Sequence, residues 1–151
     1  MDNSNPQIPK WFADGEINIT TNAIDRHIDA GRGDEPAIHQ YSVYTGVERT
    51  YSFNQLREEV GKLASVMKKK FGVKKGDTVI IYMPMVPETA FAMLACARLG
   101  ATHAVVFGGF AAAELATRID HCKPKLIITA SCGIEPSRTI EYLPIVDDAL
   151  S

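Results

Sequence analysis

Few residues in this chain have the type and spacing to do chemistry, and those that do suit holding an anion better than making or breaking a bond. Phe107-Gly108-Gly109 ends a run of β-branched and aromatic residues and precedes a helical pattern. A glycine pair at that place turns the chain sharply and leaves bare backbone that a ligand can approach. The free N–H groups at the start of the helix that follows favour negative charge. A second loop, Ser131–Arg138 (SCGIEPSR), carries Glu135, Pro136, Ser137 and Arg138. The guanidinium fork of Arg138 matches phosphate geometry. Each signal also has a plainer reading: a simple turn for the diglycine, a solvated surface cation for the arginine. Neither GxGxxG nor GxxxxGK[ST] occurs, so both standard nucleotide loops are missing.

Nucleophilic and metal chemistry find less support. His27, His39, His103 and His121 are scattered without the spacing of metal ligands. His103 lies inside a strand pattern and reads as a hydrogen-bonded core group. No GxSxG elbow is present, Cys132 has no evident partner base, and His121-Cys122 merely closes a helix. The residues therefore assign no catalytic role and no metal ligand.

The elements that must position the two loops form an alternating pattern. Thr102–Phe107 is β-branched and aromatic with no charge, and reads as a parallel strand covered on both faces. Ala111–Ile119 follows as a helix, with Leu115, Ala116 and Ile119 at helical spacing and Glu114 in the first turn. Upstream, Thr78–Tyr82 (TVIIY) is a buried strand and Met83–Pro87 its loop. A helix starts at Pro87 and stops at Gly100. Downstream, Leu126–Ala130 is a third strand, and Leu143–Leu150 begins another helix. Such a βαβαβ core brings Met83–Pro87, Phe107–Phe110 and Ser131–Arg138 to one rim, at the carboxyl ends of the strands.

The first half reads as support. Met1–Lys10 is polar, with two prolines, and is expected to be an extended arm that Trp11 and Phe12 pack onto the body. Thr21–Ala30 is a short helix closed by Gly31 and Gly33. Pro36–Val43 and Glu48–Tyr51 flank Tyr44-Thr45-Gly46 as a peripheral hairpin. Ser52–Phe71 is a helix with a Ser52/Gln55 capping box and an apolar stripe of Leu56, Val60, Leu63, Met67 and Phe71. Lys68–Lys70 form its solvated end and Gly72 its stop. The fold class is thus α/β: an incomplete three-layer βαβαβ parallel sheet with flanking helices and a small hairpin. It divides into an N-terminal extension, residues 1–33, and an incomplete subdomain, residues 34–151. Open parallel edges and an all-round apolar helix at Thr89–Leu99 suggest a piece of a larger protein, with an exposed apolar face through which copies could associate.

Composition agrees with this architecture. The chain has 151 residues, 46% hydrophobic and 23% charged, enough for one domain with a proper core. A formal net charge of −2 offers no overall field to recruit nucleic acid or an acidic membrane. The 3 cysteines lack CxxC spacing and read as reduced thiols. No apolar run approaches the roughly 20 residues that span a bilayer.

Four segments, taken in order, resemble a known family. They are WFADGEINITTNAIDRHI, KKGDTVIIYMPMVPE, MLACARLGATHAVVFGGFAAAELATRID and KPKLIITASCGIEPSRTIEYLPIVDDAL. Together they are similar to the N-terminal part of the short-chain acyl-CoA synthetases, the acetyl- and propionyl-CoA synthetases of the adenylate-forming superfamily, and cover essentially the whole chain. RIDH-KPK with IEPSR-IEY resembles the propionyl-type branch more than the acetyl-type.

The resemblance implies an ATP-dependent ligase. A short carboxylate, propionate or acetate, and ATP (with Mg) give an acyl-adenylate and pyrophosphate; the thiol of coenzyme A then displaces AMP. It implies that residues 34–151 are part of an AMP-binding domain. It further implies that Phe107, Gly108 and Gly109 line the coenzyme A channel, where a side chain would obstruct the pantetheine arm. Glu135, Pro136, Ser137 and Arg138 match the segment that touches the nucleotide end, with Arg138 on the arginine that meets its phosphate. Acetyl-type relatives carry a second arginine where Glu135 stands here, so this chain has one cation fewer. The family's Ser/Thr/Gly-rich phosphate loop, adenine pocket, carboxylate pocket and mobile C-terminal domain have no counterpart among the 151 residues, and relatives carry further helical sequence before Asn3–Phe12. The chain by itself is expected to be inactive and to hold no cofactor tightly. A stand-alone binding module for coenzyme A or a nucleotide, or a fragment serving as an interaction surface, are the other readings. The compartment implied is intracellular, either the mitochondrial matrix or the cytoplasm.

Overall fold

The computed structural model describes residues 12–151. After a π-helical turn at Thr21–Asp25 come α1 (Arg26–Asp29), β1 (Pro36–Tyr41), β2 (Glu48–Ser52), α2 (Phe53–Phe71), β3 (Thr78–Met83) and α3 (Pro87–Leu99). Then follow β4 (Thr102–Phe107), α4 (Ala112–Cys122), β5 (Leu126–Thr129), β6 (Cys132–Ile134), β7 (Thr139–Glu141) and α5 (Tyr142–Leu150).

The central sheet has the order β4-β3-β5 and is wholly parallel, with Thr78 opposite Thr102 and Val79 opposite Leu126. Strand β3 lies in the middle and is buried on both faces. Val79, Ile80, Ile81 and Tyr82 are all 0% exposed, and each such side chain contributes about 1.5–3 kcal/mol by leaving water. The two-residue period of the strand sends these side chains to opposite faces. Val79 and Ile81 join Val60, Met67, Phe91 and Ala95 of α2 and α3. Ile80 and Tyr82 join Leu115 of α4 and Tyr142 and Val146 of α5. The chain steps from β3 to β4 in one direction and from β4 to β5 in the other. Crossovers of one hand must then place α3 and α4 on opposite faces, which is how three layers arise.

The caps behave as expected. Ser52 and Gln55 complete a reciprocal capping box, Gln55 N–H donating to Ser52 Oγ at 3.3 Å and Ser52 N–H to Gln55 Oε1 at 2.9 Å. Gly72 ends α2 and Gly100 ends α3, both left-handed. The lysines of the last turn of α2 are exposed.

Four expectations need correction. Strand β4 is not covered on both faces: it is an edge strand, with Val105 51% and Phe107 68% exposed. Phe12 does not pack the arm onto the body, being 81% exposed; Trp11 and the arm before it lie outside the described residues. Residues 18–25 are anchored instead by Ile24, fully buried in the α2 and α3 core, and by Asn18, whose side-chain N–H donates to Ala97 O at 2.8 Å. Asp25 meets Arg98 at 2.9 Å. His103 is half-buried near the start of an edge strand, and no hydrogen bond joins its ring to another described residue. Finally, Ser131–Arg138 is not a plain loop but the first strand and tip of a hairpin, β6–β7, pairing Cys132 with Glu141 and Ile134 with Thr139. Its strands are three residues long, too short to leave a periodicity.

Candidate functional site

Both loops singled out from the sequence border one cavity of about 340 Å³. Gly108, Gly109, Phe110 and Ala111 line one side; Arg138, Thr139, Ile140 and Glu141 line the other, with Ile145 of α5. The first side exists because β4 ends at Phe107 and α4 starts at Ala112, leaving four residues to reverse the chain. The second is the β6–β7 tip, closed where Glu135 N–H donates to Arg138 O at 2.9 Å across Pro136 and Ser137. Proline at that position presets the turn.

The sharpness of the turn does not by itself account for the glycines. Neither Gly108 nor Gly109 is left-handed, so the turn does not demand them. Space does. A Cβ on Gly108 would collide with the phenol oxygen of Tyr142 and stand 3.1 Å from Met83 O. A Cβ on Gly109 would stand 2.6 Å from the exposed ring of Phe107. Gly108 is therefore a buried packing position and Gly109 an exposed one.

Two tyrosines hold this turn, and sequence reading assigned neither a role. Tyr82, at the carboxyl end of β3, donates its hydroxyl to Phe110 O at 2.6 Å. Tyr142 packs edge-on against it, ring centroids 5.0 Å apart at 79°. Burial pushes both phenols above the ordinary tyrosine value. A tyrosine inside an apolar strand run looks like core, so no pattern distinguishes it.

Charge at the cavity is modest. Arg138 is exposed and donates its Nε–H to Glu135 Oε2 at 3.0 Å. Arg118 lies over the Phe110 ring, 4.4 Å from its centroid, and donates to Glu114 Oε2 at 3.1 Å. The first turn of α4 adds a partial positive charge from its free N–H groups. Phe107 meets Phe110 edge-on at 5.7 Å. Pro136 and Ser137 form the exposed tip and do not line the cavity.

The third rim loop, which leaves β3 beside Phe107, lines a second space. Pro84, Met85 and Val86 line a larger cleft of about 520 Å³ with the β1–β2 hairpin and Cys132, Gly133 and Ile134. The Ser131–Arg138 segment thus faces both spaces, one with each end. Among the described residues no group of three His, Cys, Asp or Glu side chains could hold a metal ion, and no helix is long and apolar enough to cross a membrane. All three cysteines are free thiols.

Comparison with known proteins bears on this geometry. The chain is 55% identical over 150 residues to the Rattus norvegicus protein named acyl-CoA synthetase short-chain family member 3, mitochondrial, covering 99% of this chain and 22% of that protein. The Homo sapiens protein of the same name is 51% identical over the same shares. Acetyl-coenzyme A synthetase of Streptomyces coelicolor is 49% identical over 99% of this chain and 23% of its own length. The chain thus spans less than a quarter of the length of these curated relatives. The family model described as AMP-binding enzyme matches residues 25–150, and the chain belongs to that family.

Proposed function

We propose that this chain is the N-terminal part of an ATP-dependent short-chain acyl-CoA ligase, acting on propionate or acetate with ATP, Mg and coenzyme A, and that it supplies part of the coenzyme A site. The observation that carries the reading is the single cavity bordered by the diglycine turn and by Arg138. A slender thiol-bearing arm needs a narrow passage, to which Gly109 adds no side chain of its own. Its nucleotide head carries phosphate, which suits a guanidinium fork and the first turn of a helix. Phe110 gives the passage part of an apolar wall, and Phe107, which does not line the cavity, packs edge-on against it. Glu135 holds Arg138 in place until a phosphate competes for it.

The chain's part in the reaction is to position coenzyme A. The 151 residues alone are expected to release no pyrophosphate from ATP and propionate.

NMR titration of the chain with coenzyme A tests the reading. Millimolar binding should shift the amides of Phe107–Phe110 and Glu135–Arg138, and both Arg138→Ala and Gly109→Leu should abolish the shifts. Micromolar binding would instead favour a stand-alone module. No shift at either loop would overturn the assignment.

A further inference from the structure

We infer that Tyr142 is a positioning residue whose phenol ring sets the spacing between the diglycine turn and the Arg138 hairpin. The inference rests on the proposal that these two loops together receive coenzyme A.

Tyr142 is the first residue of α5 and directly follows β7. It is 3% exposed. Its ring lies between the two loops and touches each where no side chain stands. A Cβ on Gly133, in the middle of β6, would be 2.7 Å from the phenol oxygen and 3.0 Å from Cε2. A Cβ on Gly108 would be closer still to the same oxygen. Two glycines on separate loops thus make room for one hydroxyl. The ring's other side is closed by Tyr82, whose own hydroxyl donates to Phe110 O and so ties the diglycine turn to β3. The backbone of Tyr142 secures the hairpin's base, its N–H donating to Ser131 O at 3.1 Å.

The consequence is geometric. Hairpin β6–β7 forms its own two-stranded sheet and shares no ladder with the central one. Backbone pairing therefore does not set its orientation toward β4; packing does, with Tyr142 at its centre and Ile140 of β7 against the same cluster. Close-packed interiors transmit such constraints because they hold no slack. A ligand that touches both loops requires that separation, whereas a ligand that touches only the hairpin does not.

Residual dipolar couplings on the 15N-labelled chain read this orientation directly, without any ligand. In the wild type and in Tyr142→Phe, the amides of Ile134, Thr139 and Ile140 should fit one alignment tensor together with Val79–Tyr82. In Tyr142→Leu they should depart from it. A hairpin that keeps its orientation in Tyr142→Leu overturns the inference. Should that variant not fold, Gly133→Ala crowds the ring instead of deleting it and carries the same two outcomes.

The second arm uses adenosine 3′,5′-bisphosphate, the nucleotide head, beside whole coenzyme A. Tyr142→Leu should bind the head within about twofold of wild type and coenzyme A at least about fivefold more weakly. Equal losses for both probes would mean a purely structural role and would overturn the inference. A wild-type chain that binds neither probe defeats the coenzyme A reading, while the couplings still decide the role of Tyr142.

Discussion

Arg138 donates its Nε–H to Glu135 Oε2 at 3.0 Å, so the arginine at the tip of the β6–β7 hairpin is already engaged by a carboxylate three residues before it. Both side chains are exposed, 67% and 42%. An exposed pair of this kind contributes about 0.2–1 kcal/mol and is screened by salt. A phosphate must displace Glu135 or share Arg138 with it. Glu135→Gln keeps the shape and removes the charge. It should therefore tighten coenzyme A binding by about two- to fivefold, since 1.4 kcal/mol is a factor of ten. The gain should shrink as salt rises. Unchanged affinity in Glu135→Gln at low salt would place the phosphate away from Arg138.

The architecture was legible in the sequence because its signals are long and redundant. Strand β3 is apolar throughout, and α2 has a capping box, an apolar stripe and a glycine stop that all agree. The hairpin β6–β7 was not legible, because three-residue strands carry no period. Nor was the role of the diglycine. Both a ligand channel and a tight packing contact call for glycine, and the crowding of Gly108 by Tyr142, 34 residues downstream, leaves no local signal. The covered β4 that composition implied fails for a related reason. Apolar content shows that a strand wants cover, not whether its neighbours supply it.

Ile24 is buried completely against α2 and α3, while Phe12 is 81% exposed. The segment before β1 is thus held by its helical turn rather than by its aromatic ring. Ile24→Ala should destabilise the chain by about 2–5 kcal/mol, the usual result for emptying a well-packed apolar site. Phe12→Ala should stay within about 0.5 kcal/mol of wild type. Urea unfolding of the two variants side by side measures both. A larger loss for Phe12→Ala would mean that the exposed ring has a partner.

Cys96 lies within α3, 0% exposed, and burial pushes its thiol up to about 11. Cys122 and Cys132 are only half-buried. The thiolate is the reactive form, so a high value and a closed core both protect Cys96. At neutral pH a chromogenic disulfide reagent should titrate Cys122 and Cys132 in the native chain. The third thiol should react only after denaturant is added. Prompt reaction of all three would show that α3 opens readily from the sheet.

The same burial makes the fold sensitive to alkali. Cys96, Tyr82 and Tyr142 all have native values raised above their unfolded ones. Each group keeps its proton longer in the native state, so above the unfolded value the unfolded chain binds fewer protons and stability falls as pH rises. Their contribution is present below about pH 8.5, the ordinary value of an unfolded thiol; the tyrosines add to the loss above about pH 10. Each group steepens the decline by at most roughly 1.4 kcal/mol per pH unit. Urea midpoints between pH 8 and 11 should therefore fall, and Tyr142→Phe, which removes one ionisable phenol and keeps the ring, should flatten the fall above pH 10. An equally steep decline in Tyr142→Phe would mean that this phenol ionises as easily inside the fold as outside it, which its place between Gly108 and Gly133 argues against.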